Sequence, residues 1–224
     1  MSTFEAVFFD MDGTFVNSEP HWLKAERELM LEYGHEWTLV DQQYCVGGPL
    51  SKVGEYMWQL AGKSNSPEWF HQELVNRTVA NFHTNVQFMP GAFELLQEIK
   101  GAGLPVGLVT ASPAVMMNAT LNAVGLNLFD VAISGDDVSI TKPHPECYLQ
   151  AAKKLGVNIQ RSLILEDSQT GISAARASGG LLLAVPTFMD LIDSEQFQVV
   201  PTLDGLELSH IEVLFASSLM EGSV

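Results

Sequence analysis

The sequence predicts an α/β protein: a doubly wound parallel sheet of Rossmann-like type, with a small all-helical domain inserted after the first strand. Three observations carry that prediction. Short apolar runs end in polar residues, as buried parallel strands feeding loops do. Helix-like stretches with glycines at their ends alternate with these runs, which implies a parallel sheet covered on both faces. One long stretch after the first run has helical periodicity and no convincing strand.

In chain order, the first run is Ala6-Val7-Phe8-Phe9-Asp10. From about Phe15 to Gln87 the pattern is helical, in Trp22 to Tyr33, Val53 to Leu60 and Trp69 to Phe82. Trp58, Trp69 and Phe70 are expected in the apolar core of this insertion. The chain re-enters the sheet near Met89-Pro90-Gly91. Helices are then predicted at Gly91 to Lys100, Pro113 to Val124, Pro145 to Leu155 and Ser168 to Ser178. Between and after them come the strand candidates Val106 to Thr110, Val131 to Ser134, Leu163 to Asp167 and Leu181 to Val185. Gly101, Gly103, Gly125, Gly156 and Gly179 fall at or just past the helix ends, where a left-handed residue stops a helix. The expected division is 1–15 with 89–224 for the sheet domain and 16–88 for the helical insertion.

Composition bounds the function classes. The chain has 224 residues, 46% hydrophobic and 17% charged, enough apolar surface to offset the entropy of ordering. Its formal net charge is −16, and the basic residues are scattered singly apart from Lys153-Lys154. Such a surface repels phosphate backbones and anionic lipid, so neither nucleic acid nor membrane is an expected partner. An anionic substrate then needs a local positive centre, supplied by a divalent cation or a well-placed lysine. Cys45 and Cys147 show no metal-finger or redox spacing and are expected as reduced thiols. The first apolar run is short and lacks a preceding basic region, so a cytoplasmic protein is expected, and separately a monomer.

In an α/β sheet, ligands bind beyond the carboxyl ends of the strands. Asp10, Thr110 and Asp167 all fall at such ends. Asp10-Met11-Asp12-Gly13 places two carboxylates at the end of an apolar strand, with a glycine that lets the backbone turn. Thr110 offers a hydroxyl, and the amides of Ala111 and Ser112 precede a helix opening at Pro113, where N–H groups favour an anion. Lys142 stands in Thr-Lys-Pro-His-Pro, a segment stiffened by its prolines. Glu166-Asp167 closes a third apolar strand, where carboxylates are costly unless they meet a cation or a hydrogen-bond donor. Each piece alone has a plainer reading: a turn, a helix cap, a solvated lysine, and N-capping by Asp167 or Ser168. Together they fit a magnesium site built from a few carboxylates beside a bound phosphate.

In these motifs and their order the chain resembles the haloacid dehalogenase superfamily, in the branch with a helical cap after the first strand that includes β-phosphoglucomutase-like and sugar-phosphate phosphatase proteins. The matching positions are Asp10-x-Asp12-Gly13-Thr14, Thr110, Lys142 before Pro143, and Glu166-Asp167-Ser168 with Gly171 following. The resemblance implies a Mg2+-dependent phosphatase of a small phosphorylated substrate. Asp10 would be nucleophile and metal ligand, and Asp12 general acid then base, with its backbone carbonyl also on the metal. Asp167 would be a direct ligand and Glu166 a ligand through water or a partner behind the ligands. Thr110, Ala111 and Lys142 would hold the phosphoryl oxygens.

Gly47-Gly48-Pro49-Leu50 occupies the place where such caps turn a loop onto the site, with Lys52 the nearby cation. Two rivals stand beside the phosphatase reading: a phosphomutase using the same Asp10 chemistry, and a non-catalytic phospho-acceptor domain of the response-regulator kind. The second has its phosphorylated Asp on a later strand and no long insertion after the first. Against the mutase, Trp22 stands where that branch usually has a histidine, with His21 one place short, and Thr14 replaces its frequent aliphatic residue.

Overall fold

A computed structural model describes residues 4–45, 50–82, 86–125, 127–186 and 197–216. Strand β1 (Ala6–Phe9) lies inside a six-stranded sheet with β2 (Val106–Val109), β3 (Val131–Ile133), β4 (Ser162–Glu166), β5 (Leu181–Ala184) and β6 (Gln198–Val199). The order is β3-β2-β1-β4-β5-β6 and every pairing is parallel. Because both faces are covered, alternate residues of one strand enter different cores. Val7 and Phe9 join one apolar cluster with Leu95, Met116 and Ile211, while Ala6 and Phe8 join another with Tyr148, Ala151 and Ala175. Burying a side chain such as Phe8 contributes about 1.5–3 kcal/mol, so this strand is anchored from both sides.

On the first face lie α5 (Ala92–Gly101), α6 (Ala114–Val124) and α9 (Leu208–Leu214); on the second lie α7 (Glu146–Leu155) and α8 (Gln169–Ser178). The remaining helices, α1 (Glu19–Leu31), α2 (Leu39–Cys45), α3 (Leu50–Leu60) and α4 (Pro67–Phe82), all follow β1. They share a third cluster that includes Ala25, Leu29, Trp37, Met57, Phe70 and Leu74. Val75 and Phe82 of α4 turn into the first sheet cluster, and Trp22 packs against both, so the helical insertion is wedged to the sheet. Val16 forms isolated bridges to Asp12 and Phe88, tying together the two chain crossings between these parts.

The five expected strands and the seven expected helices are present, each within a few residues. Among the described residues, two α-helices and one strand escaped the sequence reading. Helix α2 inverts the usual pattern: Leu39 and Val40 are exposed, whereas Asp41 is buried. Asp41 is satisfied by the Thr38 amide and hydroxyl, both at 2.7 Å, by Tyr56 Oη at 2.6 Å and by His35. These donors hold its carboxyl well below the usual carboxylate range despite burial. Strand β6 and helix α9 are too short to show a period. Of the aromatic residues expected inside the helical cluster, Phe70 is fully buried and Trp58 packs against it, but Trp69 is 38% exposed. Cys45 and Cys147 are free, buried thiols.

Candidate active site

Register brings the strand ends level. Phe9 pairs with Leu108 on one side and Leu165 on the other, so the residues after β1, β2 and β4 emerge along one edge. Asp10, Asp12, Thr110 and Asp167 are those residues. Lys142, from the loop before α7, reaches in from below. Its Nζ donates to Asp10 Oδ1 at 2.6 Å, to Glu166 Oε1 at 2.7 Å and to the Val109 carbonyl at 2.9 Å. All three charged groups are at least nine-tenths buried. Burial opposes the charge on Lys142, but the two carboxylates hold its ammonium well above the ordinary range. Burial pushes Asp10 up, against the pull of Lys142. Burial, then the negative charges of Asp10 and Glu166, push Asp167 up as well.

Asp12 is placed by the loop after β2. Its Oδ2 accepts from Ser112 Oγ at 2.8 Å and Thr110 Oγ1 at 3.2 Å, while Thr110 Oγ1 also accepts the Ser112 amide at 2.9 Å. Asp12 Oδ1 is buried with no hydrogen-bond partner among the described residues, and so is Asp167 Oδ1. Buried carboxylate oxygens without donors are costly. Asp10, Glu166 and Asp167 each bring an oxygen to within 4.8 Å of the others. Three hard oxygen donors, one of them orphaned, against a single lysine fit a divalent cation of the magnesium type.

Two glycines make room for this arrangement. A Cβ on Gly13, whose φ is +86°, would fall on the Asp167 carboxylate, and one on Gly171 would fall on that of Glu166. Ser168 caps α8 by accepting the Gly171 amide at 3.1 Å, so the capping role belongs to Ser168 and Asp167 is left for the site.

Asp10, Asp12, Thr110, Lys142, Glu166 and Asp167 are therefore neighbours here, with Ala111 exposed beside Thr110. Asp12 differs from the other acids, since its side chain is outside the three-carboxylate cluster. Two contributors were missed. Ser112 Oγ holds Asp12, and its place two residues after Thr110 in the same loop was the available signal. Tyr148 Oη donates to Glu166 Oε1 at 2.5 Å, and nothing in the sequence sets this tyrosine apart from a core aromatic of α7. Gly47, Gly48 and Pro49 lie outside the described residues, and Lys52 Nζ sits 4.2 Å from the centre of the Tyr44 ring. Among the described residues no helix is long and apolar enough to cross a membrane.

The sequence pattern of the haloacid dehalogenase-like hydrolases matches residues 7–185. Hexitol phosphatase B of Escherichia coli (strain K12) is 33% identical over 186 residues, 81% of this chain and 83% of that protein. The phosphorylated carbohydrates phosphatase of Thermotoga maritima is 30% identical over 176 residues, 78% of this chain and 82% of that protein. A crystal structure of beta-phosphoglucomutase from Clostridium difficile shares the fold, with a TM-score of 0.76 at 23% identity over 98% of each chain.

Proposed function

Since the chain belongs to the haloacid dehalogenase-like hydrolase family and is a phosphatase of its sugar-phosphate branch, we propose that it hydrolyses monoesters of small hydroxylated metabolites through an aspartyl-phosphate on Asp10. One observation carries the reading: Lys142 bridges Asp10 and Glu166 at the strand ends while Asp12 stands beside them with an oxygen that no described residue bonds. Helices α1–α4 serve as the cap over this edge.

Asp10 Oδ attacks phosphorus as the ester P–O bond breaks, and the leaving oxygen takes a proton from Asp12. Asp12, now a carboxylate, removes a proton from water. That water attacks phosphorus, the Asp10–phosphorus bond breaks, and inorganic phosphate leaves. Thr110 and Ser112 hold Asp12 for both transfers. Lys142 orients Asp10 and balances phosphoryl charge, and the Ala111 amide adds a donor. A magnesium ion held by Asp10, Asp167 and the Asp12 backbone carbonyl, with Glu166 behind, would neutralise the phosphoryl oxygens.

The phospho-acceptor rival falls with membership of a hydrolase family. The mutase shares the fold, but His21 lies against Phe82 with ring centroids 4.7 Å apart and the planes tilted by 42°, and Trp22 is packed between the two cores. An indole offers one N–H donor and no basic nitrogen, so position 22 has no group to gate Asp12. The test supplies β-glucose 1-phosphate with catalytic 1,6-bisphosphate and follows phosphate and glucose 6-phosphate together. Phosphate release without isomerisation is expected; isomerisation outpacing it would establish the mutase. In parallel, Asp10→Asn is expected to cost about 10³-fold or more in kcat with the fold intact. Near wild-type turnover by that variant would exclude the covalent route.

A further inference from the structure

Tyr148 lies in the first turn of α7, the helix that follows the Lys142 loop, and is fully buried in the second sheet cluster. Loop and helix thus bring two donors to one carboxylate. Tyr148 Oη donates to Glu166 Oε1 at 2.5 Å, and Lys142 Nζ donates to the same oxygen at 2.7 Å. Both lone pairs of Oε1 are then occupied. Oε2 is more open: among the described residues its hydrogen bond comes from Ser168 Oγ, at a long 3.5 Å, and that hydroxyl also accepts the Gly171 amide at 3.1 Å. Lys142 has nothing more to give. Its three N–H groups go to Asp10, Glu166 and the Val109 carbonyl, and its Nζ stands 5.0 Å from the centre of the Tyr148 ring. The tyrosine hydroxyl is therefore the group that closes the second side of Oε1, and no spare proton of the lysine replaces it.

Hard cations differ in how many oxygens they take. Magnesium demands a near-ideal octahedron and keeps several waters, whereas calcium takes about six to eight oxygens and readily accepts a carboxylate through both of its oxygens. Asp10, Glu166 and Asp167 each bring an oxygen to within 4.8 Å of the others, a set that either ion would accept by charge alone. Resting on the phosphatase reading above, we propose that Tyr148 is a positioning residue that sets the choice of cation: by closing Glu166 Oε1 it leaves that carboxylate one oxygen for the cation or its water shell, which suits magnesium and disfavours calcium. Without the hydroxyl, Oε1 is free to turn toward the cation. Glu166 then offers both oxygens, a calcium-type arrangement, and loses the fixed orientation that an octahedral ion needs.

The experiment strips the protein of metal with chelator and titrates it by calorimetry, without substrate, with magnesium chloride and separately with calcium chloride, in wild type and Tyr148→Phe. Phenylalanine keeps the ring against Lys142 and removes the hydroxyl alone. Phosphate release from glucitol 6-phosphate and p-nitrophenyl phosphate in magnesium, and its inhibition by added calcium, are followed in parallel. For Tyr148→Phe the magnesium affinity is expected to fall about tenfold, as loss of a partner behind a metal carboxylate does, while the calcium affinity holds or rises. The magnesium-to-calcium ratio thus falls by about tenfold or more, and calcium inhibits turnover at a correspondingly lower concentration. Equal weakening of both cations, or an unchanged ratio, would overturn the inference, and phosphate release by the wild type would leave the phosphatase reading in place. A wild type that releases phosphate from neither ester would overturn both. Should Tyr148→Phe fail to fold, Gly171→Ala, whose methyl displaces the same carboxylate, decides the matter by the same ratio.

Discussion

Lys142 is the single residue on which most of the site depends. One ammonium is shared by Asp10 and Glu166, and a third carboxylate, Asp167, stands close by. Lys142→Met leaves those acids buried without their counter-charge, and breaking a buried pair from one side costs about 3–5 kcal/mol. Urea unfolding of the metal-free variant is expected to show a loss of that order, with turnover falling as well; unchanged stability would mean the bridge is unimportant. The pH dependence follows from the same cluster. Asp167 is raised in the folded, metal-free protein, so that state binds a proton which the unfolded chain has already released. Stability of the metal-free protein therefore falls as pH rises above the ordinary carboxylate range. On the proposed magnesium reading the ion would displace that proton, so its stabilising effect is expected to grow with pH. Melting curves in chelator and in magnesium, at about pH 5 and about pH 8, are expected to diverge at the higher pH. A constant gap would remove Asp167 from the metal set.

At the scale of elements, helix α8 shows how a strand end is held open. Its first turn must pass close to the Glu166 side chain, and Gly171 has no Cβ to obstruct it. Gly171→Ala is expected to push Glu166 off Lys142 and Tyr148. Overpacking of this kind costs about 1–3 kcal/mol, and a displaced lysine lowers kcat. A melting temperature and kcat both equal to wild type would show that α8 shifts freely to accommodate the methyl. Helix α2 makes the complementary point, since its buried face is organised by Asp41 and its donors.

For the molecule as a whole, the formal charge of −16 surrounds a site meant for an anion. Long-range repulsion slows capture and is screened by salt, because the Debye length shrinks to about 8 Å near physiological ionic strength. Raising sodium chloride from about 20 mM to about 200 mM is expected to increase kcat/KM several-fold through KM. A fall over that range would mean that local positive potential at the site outweighs the net charge.

The amino-acid sequence by itself determined the sheet, its alternation with helices and the place of the helical insertion. Period and punctuation are local, and they survive in one dimension: Ala6–Phe9 is buried on both faces because all four residues are apolar. The strand ends were legible for the same reason, since Asp10, Thr110 and Asp167 interrupt apolar runs. The tertiary structure alone decided what each polar group touches. Ser112 meets Asp12, 100 residues away, and Tyr148 meets Glu166 across two elements, contacts that depend on strand register and helix packing. Helix α2 stayed hidden because its buried residue is an acid, and only donors from Thr38, Tyr56 and His35 make that burial stable.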